Sequence, residues 1–206
     1  MALYYTSPTR NLPDGYSFRG ATLKDLPFIA VLFNQRHMIS TNSQDLPIAE
    51  MRREWQSTQI NPAIDVRVVL DQREHLIGYI EVWTTSGLGA HPWVWGCVHP
   101  DYEGRGIGTA LLRWAEARVR LSMELLPSHL RVAPRFGAQH TLSTAPALCR
   151  ALGWQPMRAD EGIVPQAKNL TSAVRLLQAA GQAVNSAFDV YEKEIRPGDE
   201  FVPQAV

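Results

Sequence analysis

The sequence predicts an α+β domain, in which strands and helices share one core, and three observations carry that reading. Three β-rich runs, Val66–Leu70, Leu76–Trp83 and Trp93–Val98, follow one another across polar connections, as the strands of an antiparallel meander do. Directly after them the stretch Glu103-Gly104-Arg105-Gly106-Ile107-Gly108 opens an amphipathic helix. The 206 residues are enough for one well-buried core with a small appendage.

Taken in order, residues 16–20 read as short and extended. Residues 21–35 place Leu23, Leu26, Ile29, Ala30, Leu32 and Phe33 at helical spacing, with Thr22 or Asp25 able to cap. A polar loop, 37–44, leads to a second helix over 47–57, where Asp45 can cap, Pro47 suits the first turn, and Glu50, Arg52, Arg53 and Glu54 form a polar side. Polar residues 71–75 turn the first β-run back on the second, and loop 84–92, with two glycines, leads to the third. In the helix after the glycine stretch, Ile107, Ala110, Leu111, Trp114, Ala115 and Val119 share an apolar side. Thr109, Arg113, Glu116 and Arg120 form its polar stripe, in which Glu116 and Arg120 make a supportive pair. Residues 130–133 are the next candidate strand, curtailed by Pro134. Residues 144–152 read as a helix ended by Gly153, with Pro156 just beyond. A further helix over 168–184, a late strand over 188–195 and a loose tail over 196–206 complete the chain.

Bulk properties exclude several functions. The 20 basic and 20 acidic residues balance, which speaks against a nucleic-acid partner. No apolar run approaches the roughly 18–20 residues of a membrane span, and the first residues lack the basic-then-apolar pattern of a signal peptide. A cytoplasmic protein with no membrane partner is therefore expected. Two cysteines, Cys97 and Cys149, are too few for a disulfide framework and wrongly spaced for a metal site, so no metal is expected.

The glycine stretch carries the functional signal. Gly104, Gly106 and Gly108 remove side chains where a ligand must approach the main chain, and glycine tolerates the dihedrals of a tight turn. The following helix presents unpaired amides and the positive end of its dipole, roughly half an elementary charge, toward a phosphate. Arg105 adds a full positive charge in sequence. The dinucleotide pattern G-x-G-x-x-G fails, because its third glycine falls on Leu111 or Thr109. The mononucleotide P-loop fails as well, because Gly108 is followed by Thr109-Ala110 rather than Lys and a hydroxyl residue.

This segment resembles the acyl-CoA-binding motif of the GNAT superfamily of N-acetyltransferases, whose loop reads Gln/Arg-x-x-Gly-x-Gly/Ala. Here Glu103 stands at the first position, an acid in place of Gln or Arg, and its side chain is discounted as a ligand. The approach from Val98 through Tyr102 and the exit Thr109-Ala110-Leu111-Leu112 look like the family too. The likeness extends over roughly residues 16–157. It implies the GNAT fold, a mixed and mostly antiparallel central sheet flanked by helices on both faces. It also implies an N-terminal extension over 1–15, a catalytic domain over 16–160, and a C-terminal segment, 161–206, packed on that domain. The implied co-substrate is acetyl-CoA, its phosphates held by Gly104, Arg105, Gly106, Ile107, Gly108 and Thr109 and its pantetheine arm lined by main-chain groups of Cys97 and Val98. The implied partner is a small-molecule amine acceptor, with a homodimer left open.

Acyl transfer from a thioester to an amine needs a proton acceptor, stabilisation of the developing oxyanion and a route for the thiolate to leave. Glu81, in the second β-run, is the first candidate base and His91 the second; Glu81 also fits the solvent-facing half of an alternating strand. Leu148-Cys149-Arg150-Ala151-Leu152-Gly153-Trp154 resembles the family's Leu-Tyr-Glu-Lys-Leu-Gly-Phe signature, with Cys149 where the tyrosine credited with protonating the thiolate stands. Cys149 is thus either a catalytic thiol or a small buried hydrophobe. A thiolate whose acid has a pKa of about 8.5 is a tolerable leaving group without such help. Trp55, Trp83, Trp93 and Trp95 suit an aromatic acceptor or simple core packing. The competing function is a non-catalytic acyl-CoA-binding domain.

Overall fold

The structure is a computed structural model, and it describes residues 12–35, 48–84, 90–139, 144–157 and 188–200. The strands are β1 (Ser17–Gly20), β2 (Val66–Leu70), β3 (Leu76–Trp83), β4 (Trp93–Val98), β5 (Arg135–Gln139), β6 (Gln155–Pro156) and β7 (Phe188–Glu192). The helices are α1 (Leu26–Gln35), α2 (Ile48–Trp55), α3 (Pro62–Asp65), α4 (Ile107–Ser122) and α5 (Ala145–Ala151). One seven-stranded sheet runs in the order β1-β2-β3-β4-β5-β7-β6. The meander is present: β1 pairs β2, β2 pairs β3 and β3 pairs β4, all antiparallel.

Strand alternation distributes the core to both faces of this sheet. Val66, Val68, Tyr79, Trp83, Trp93, Trp95 and Cys97 face α1 and α2, where Leu26, Ile29, Phe33, Met51 and Trp55 close the layer. Ile80, Val82, Val94 and Val98 face the other way, against Ile107, Leu111, Trp114, Ala115 and Val119 of α4 and Cys149 of α5. The expected apolar side of α4 is therefore the buried one, and helices cover both faces.

Three expectations need correction. Residues 130–133 form no strand; Leu130 and Val132 make only isolated bridges, to Asp199 and Arg196. The strand begins one residue past Pro134, which has no N–H for a ladder and so stands at the entrance. Its Gly137 is required, because a Cβ there would lie 2.3 Å from the Trp95 ring. The tail is not loose as far as Glu200, since the Arg131 amide donates to the Asp199 carbonyl and the Val132 amide to that of Arg196. The third correction concerns Glu116, placed on a polar stripe but buried: it accepts from Lys193 Nζ at 2.7 Å and Trp154 Nε1 at 3.1 Å. Its pairing with Arg120 is the longer contact, at 3.5 Å.

Several features escaped the sequence reading, the two-residue strand β6 and two others among them. Helix α3 is a single turn started by Pro62, with the Asn61 side chain accepting from the Ala63 amide at 3.1 Å. The other is that β4 and β5 run parallel, with α4 as the crossover that a parallel pair requires. Residues 36–47, 85–89 and 168–184, which include the polar loop and the expected late helix, lie wholly outside the described residues.

Candidate active site

The parallel pair sets up the site. β4 and β5 are in register only at Trp93 with Arg135 and Val94 with Phe136. Beyond that point the paired register ends, and a cleft of about 390 Å³ opens between the two strands and α4. Gly96, Cys97 and Val98 wall it on the β4 side and Phe136 on the β5 side. Leu111 and Leu112 of α4 and Ala145 and Leu148 of α5 complete its apolar lining, and Gly104, Gly106, Gly108 and Thr109 form its mouth.

Each glycine at that mouth has its own reason. Gly104 and Gly106 adopt φ of +71° and +81°, the left-handed region that side chains with a Cβ disfavour. Gly106 is the N-cap of α4, and its carbonyl accepts from the Ala110 amide at 3.0 Å. Gly108 has ordinary helical geometry, but a Cβ there would meet Leu148 Cδ2 at 3.0 Å, so its absence lets α5 approach α4. The first-turn amides after Gly106 have no acceptor within the helix and stand at the cleft mouth. Main-chain donors at a helix N-terminus beside a largely apolar cleft suit a diphosphate carrying an acyl arm. The residues present thus fit acetyl-CoA.

Of the residues expected to hold that molecule, Cys97, Val98, Gly104, Gly106, Gly108 and Thr109 line the cleft. Ile107 is fully buried under the helix start, packed toward Gly78. The Arg105 side chain turns to another flank, donating to the Asp101 carbonyl at 2.9 Å and lying 4.9 Å from the centre of the Tyr102 ring. Glu103, discounted as a ligand, is part of the lining, as is Tyr102. Tyr102 is fixed by donating its hydroxyl to Asp71 at 2.9 Å. Asp71 also accepts from the amides of Arg73 and His75, and despite a desolvation cost these bonds hold its carboxyl at about 2. The 71–75 turn thereby steadies the approach to the glycine loop.

The candidate proton acceptors separate clearly. Glu81 is not on a solvent face: it points to the α1 and α2 side, is 3% exposed, and lies outside the cleft lining but next to Ile80, which is part of it. Desolvation pushes its carboxyl up to about 7, and Glu54 adds to that rise. Tyr79, Trp83 and Trp55 act in the opposite direction and favour the charged form. The Tyr79 hydroxyl donates a short hydrogen bond to Glu81 Oε2. Trp83 Nε1 has no partner in hydrogen-bonding geometry, so it acts on Glu81 as a nearby oriented dipole.

His91 is buried elsewhere. Its Nδ1 lies 3.2 Å from the Ala133 carbonyl and its Nε2 3.1 Å from Glu200, with Glu192 at 3.6 Å from Nδ1. Both ring nitrogens face oxygen acceptors, which leaves no lone pair directed at a cleft. Cys149 is 0% exposed, outside the cleft lining, and burial raises its thiol to about 12. No His/Cys/Asp/Glu group among the described residues could hold a metal ion.

Sequence reasoning did not identify Tyr79, Phe136 or Ala145 as parts of this neighbourhood. Tyr79 stands two residues before Glu81, and that i,i+2 spacing in a strand was the available signal.

Residues 65–156 match the family model described as acetyltransferase (GNAT) domain. No curated protein matches the chain by sequence. Among solved structures, a GCN5-related N-acetyltransferase from Sphaerobacter thermophilus superposes with a TM-score of 0.69 at 17% identity, over 92% of this chain and 99% of the other. A phosphinothricin acetyltransferase from Sinorhizobium meliloti, in complex with acetyl-CoA, gives 0.55 at 20% identity over 89% and 90%. A variant of the spermidine N-acetyltransferase from Vibrio cholerae gives 0.53 at 16% identity over 88% and 95%. At these identities the structural likeness is one of fold.

Proposed function

Since the chain belongs to the GNAT superfamily, we propose that it is an acetyl-CoA-dependent N-acetyltransferase acting on the amine of a small molecule. The observation that carries this reading is the cleft between β4 and β5, bordered at its mouth by two left-handed glycines and the start of α4. In this reading residues 16–160 are the catalytic unit, and the amides from Arg105 through Thr109 take the diphosphate. The pantetheine arm lies along Gly96, Cys97 and Val98, which brings the thioester toward Gly96, next in sequence to Trp95, the register partner of Glu81.

The chemistry is a direct transfer. The acceptor nitrogen attacks the thioester carbonyl, the nitrogen–carbon bond forms, and the carbon–sulfur bond breaks with its electron pair leaving on sulfur. Glu81 accepts the proton that the amine loses, directly or through one water. A carboxyl held at about 7 suits this work, because the charged form is present near neutrality yet basic enough to take the proton. The thiolate leaves without help from Cys149, whose thiol is buried and hard to ionise. Spermidine and phosphinothricin, named for two of the structural neighbours, are reasonable first acceptors to assay. No helix among the described residues is long and apolar enough to cross a membrane, and a cytoplasmic site of action goes with this reading.

The second reading, an acyl-CoA-binding domain without turnover, is favoured by the loss of the signature tyrosine to Cys149 and its burial. Calorimetry with acetyl-CoA, followed by a thiol-release assay over a panel of polyamines, amino acids and aromatic amines, separates the two. Binding with turnover of any amine supports the transferase; binding with turnover of none supports the second reading. Absence of binding removes both.

A further inference from the structure

The strand that carries Glu81 carries a second buried polar side chain on the same face, and that group joins the carboxylate to the cleft wall. Tyr79 and Glu81 are two residues apart on β3, so both point toward α1 and α2. The Tyr79 ring is wedged between elements: it is 1% exposed and packs edge-on against Phe33 of α1, with ring centres 5.5 Å apart. Across the strand pair its register partner is Cys97, which lines the cleft. A phenol held this firmly has one polar atom to satisfy, and that atom meets Glu81 Oε2.

We propose that Tyr79 is the positioning residue for the proton acceptor, its hydroxyl holding the Glu81 carboxylate in one rotamer and in the charged form on the α1 and α2 side of the sheet, beside the strand whose Gly96, Cys97 and Val98 wall the cleft. This inference rests on the reading of Glu81 as the base. The groups facing the carboxylate explain why such a donor is needed. Burial opposes its charge, and Glu54 on α2 opposes it further by repulsion; Trp55 on α2 and Trp83 on β3 favour the charge, and Cys97 on β4 faces Tyr79. Without the phenol, Glu81 would hold its proton to higher pH and be less able to accept another. Tyr79 keeps its own proton throughout, since burial and the neighbouring Glu81 carboxylate raise its ionisation well above the usual range.

The direct test reads the carboxyl itself. Protein labelled with carbon-13 at the glutamate Cδ is titrated by NMR, with Glu81→Gln assigning the signal. Tyr79→Phe should move the Glu81 midpoint upward by about one to two pH units, the loss expected for a hydrogen bond to a charged group. Replacement of Tyr79 by fluorotyrosine keeps the ring and strengthens the donor, so it should move the midpoint downward. This second variant keeps the test decisive if the phenylalanine variant does not fold. With an amine that the wild type acetylates, the acidic limb of kcat/KM against pH should follow the same two shifts. Midpoints and limbs unmoved in both variants overturn the proposal. Full activity in Glu81→Gln overturns instead the assignment of the base, so the two failures are distinguishable.

Discussion

At the residue scale, the structure assigns different physical duties to side chains of similar appearance. Gly104, Gly106 and Gly108 look equivalent as a repeat, yet two adopt positive φ while the third has ordinary helical geometry and lies against the Leu148 side chain. Gly106→Val should therefore hurt most: it forces a β-branched residue into the left-handed region and against Pro13 Cγ, 3.3 Å from the position of a Cβ. A loss of about 1–3 kcal/mol in stability is expected, together with loss of measurable acetyl-CoA binding by calorimetry. Gly104→Ala, whose Cβ would meet nothing within 4 Å, should carry only the backbone cost and keep binding. Glu81 gives a pH-dependent case. Its folded pKa, about 7, lies above the unfolded value, so the folded state binds the extra proton between about pH 4.5 and pH 7. Its contribution to stability is complete below that window and is lost as pH rises through it. Glu81→Gln removes the titration. Chemical denaturation should find the variant gaining on wild type between about pH 5 and about pH 8, and a constant difference would contradict the buried carboxyl.

Elements were legible where their signal was local. The β2–β3 hairpin, β4, α4 and α5 follow from alternation, helical periodicity, capping and the terminal glycine, and the structure places each within a few residues. β5 was missed because its residues, Arg-Phe-Gly-Ala-Gln, carry little β-propensity and their strand character comes from neighbours: β4 on one side, β7 on the other and Trp95 over Gly137. Glu116 was misplaced for a similar reason. Its i,i+4 partner is visible in sequence, but Trp154 and Lys193, 38 and 77 residues away, are not. Those two contacts staple α4 to the end of α5 and to the residue following β7, with Lys193 Nζ also donating to the Leu152 carbonyl at 2.6 Å. Glu116→Ala leaves an indole N–H and an ammonium short of an acceptor. Lys193 is partly exposed and retains Leu152, so the cost should fall at the lower end for a broken buried pair, about 3 kcal/mol. A drop in Tm of about 6–12 °C by calorimetry is the expected result. A much smaller drop would mean that the cluster is solvated and not a staple.

For the whole molecule, the decisive feature is that the sheet is two antiparallel units joined at one parallel step. β1–β4 form the first unit, β5, β7 and β6 the second, and the step between them is in register for two residue pairs only. No local pattern announces this, because a parallel neighbour is decided by the path of α4 across the sheet rather than by residues within either strand. The same weakness at the step makes room for the cleft, whose walls come from β4 on one unit and from Phe136 and α5 on the other. A ligand seated there touches both units and should therefore stabilise the entire fold. Acetyl-CoA at a hundredfold excess over its Kd adds about 2.7 kcal/mol, which for a chain of this size raises Tm by about 5–11 °C. Amide hydrogen exchange should slow both at residues 96–98 and at the start of α4, since the proposed function seats the acyl arm and the diphosphate at different ends of the cleft. Acetyl-pantetheine lacks the diphosphate and should protect only residues 96–98, with a much smaller rise in Tm. If it stabilises the protein as strongly as acetyl-CoA does, the glycine mouth is not where the binding energy lies, and the diphosphate assignment of the loop is wrong.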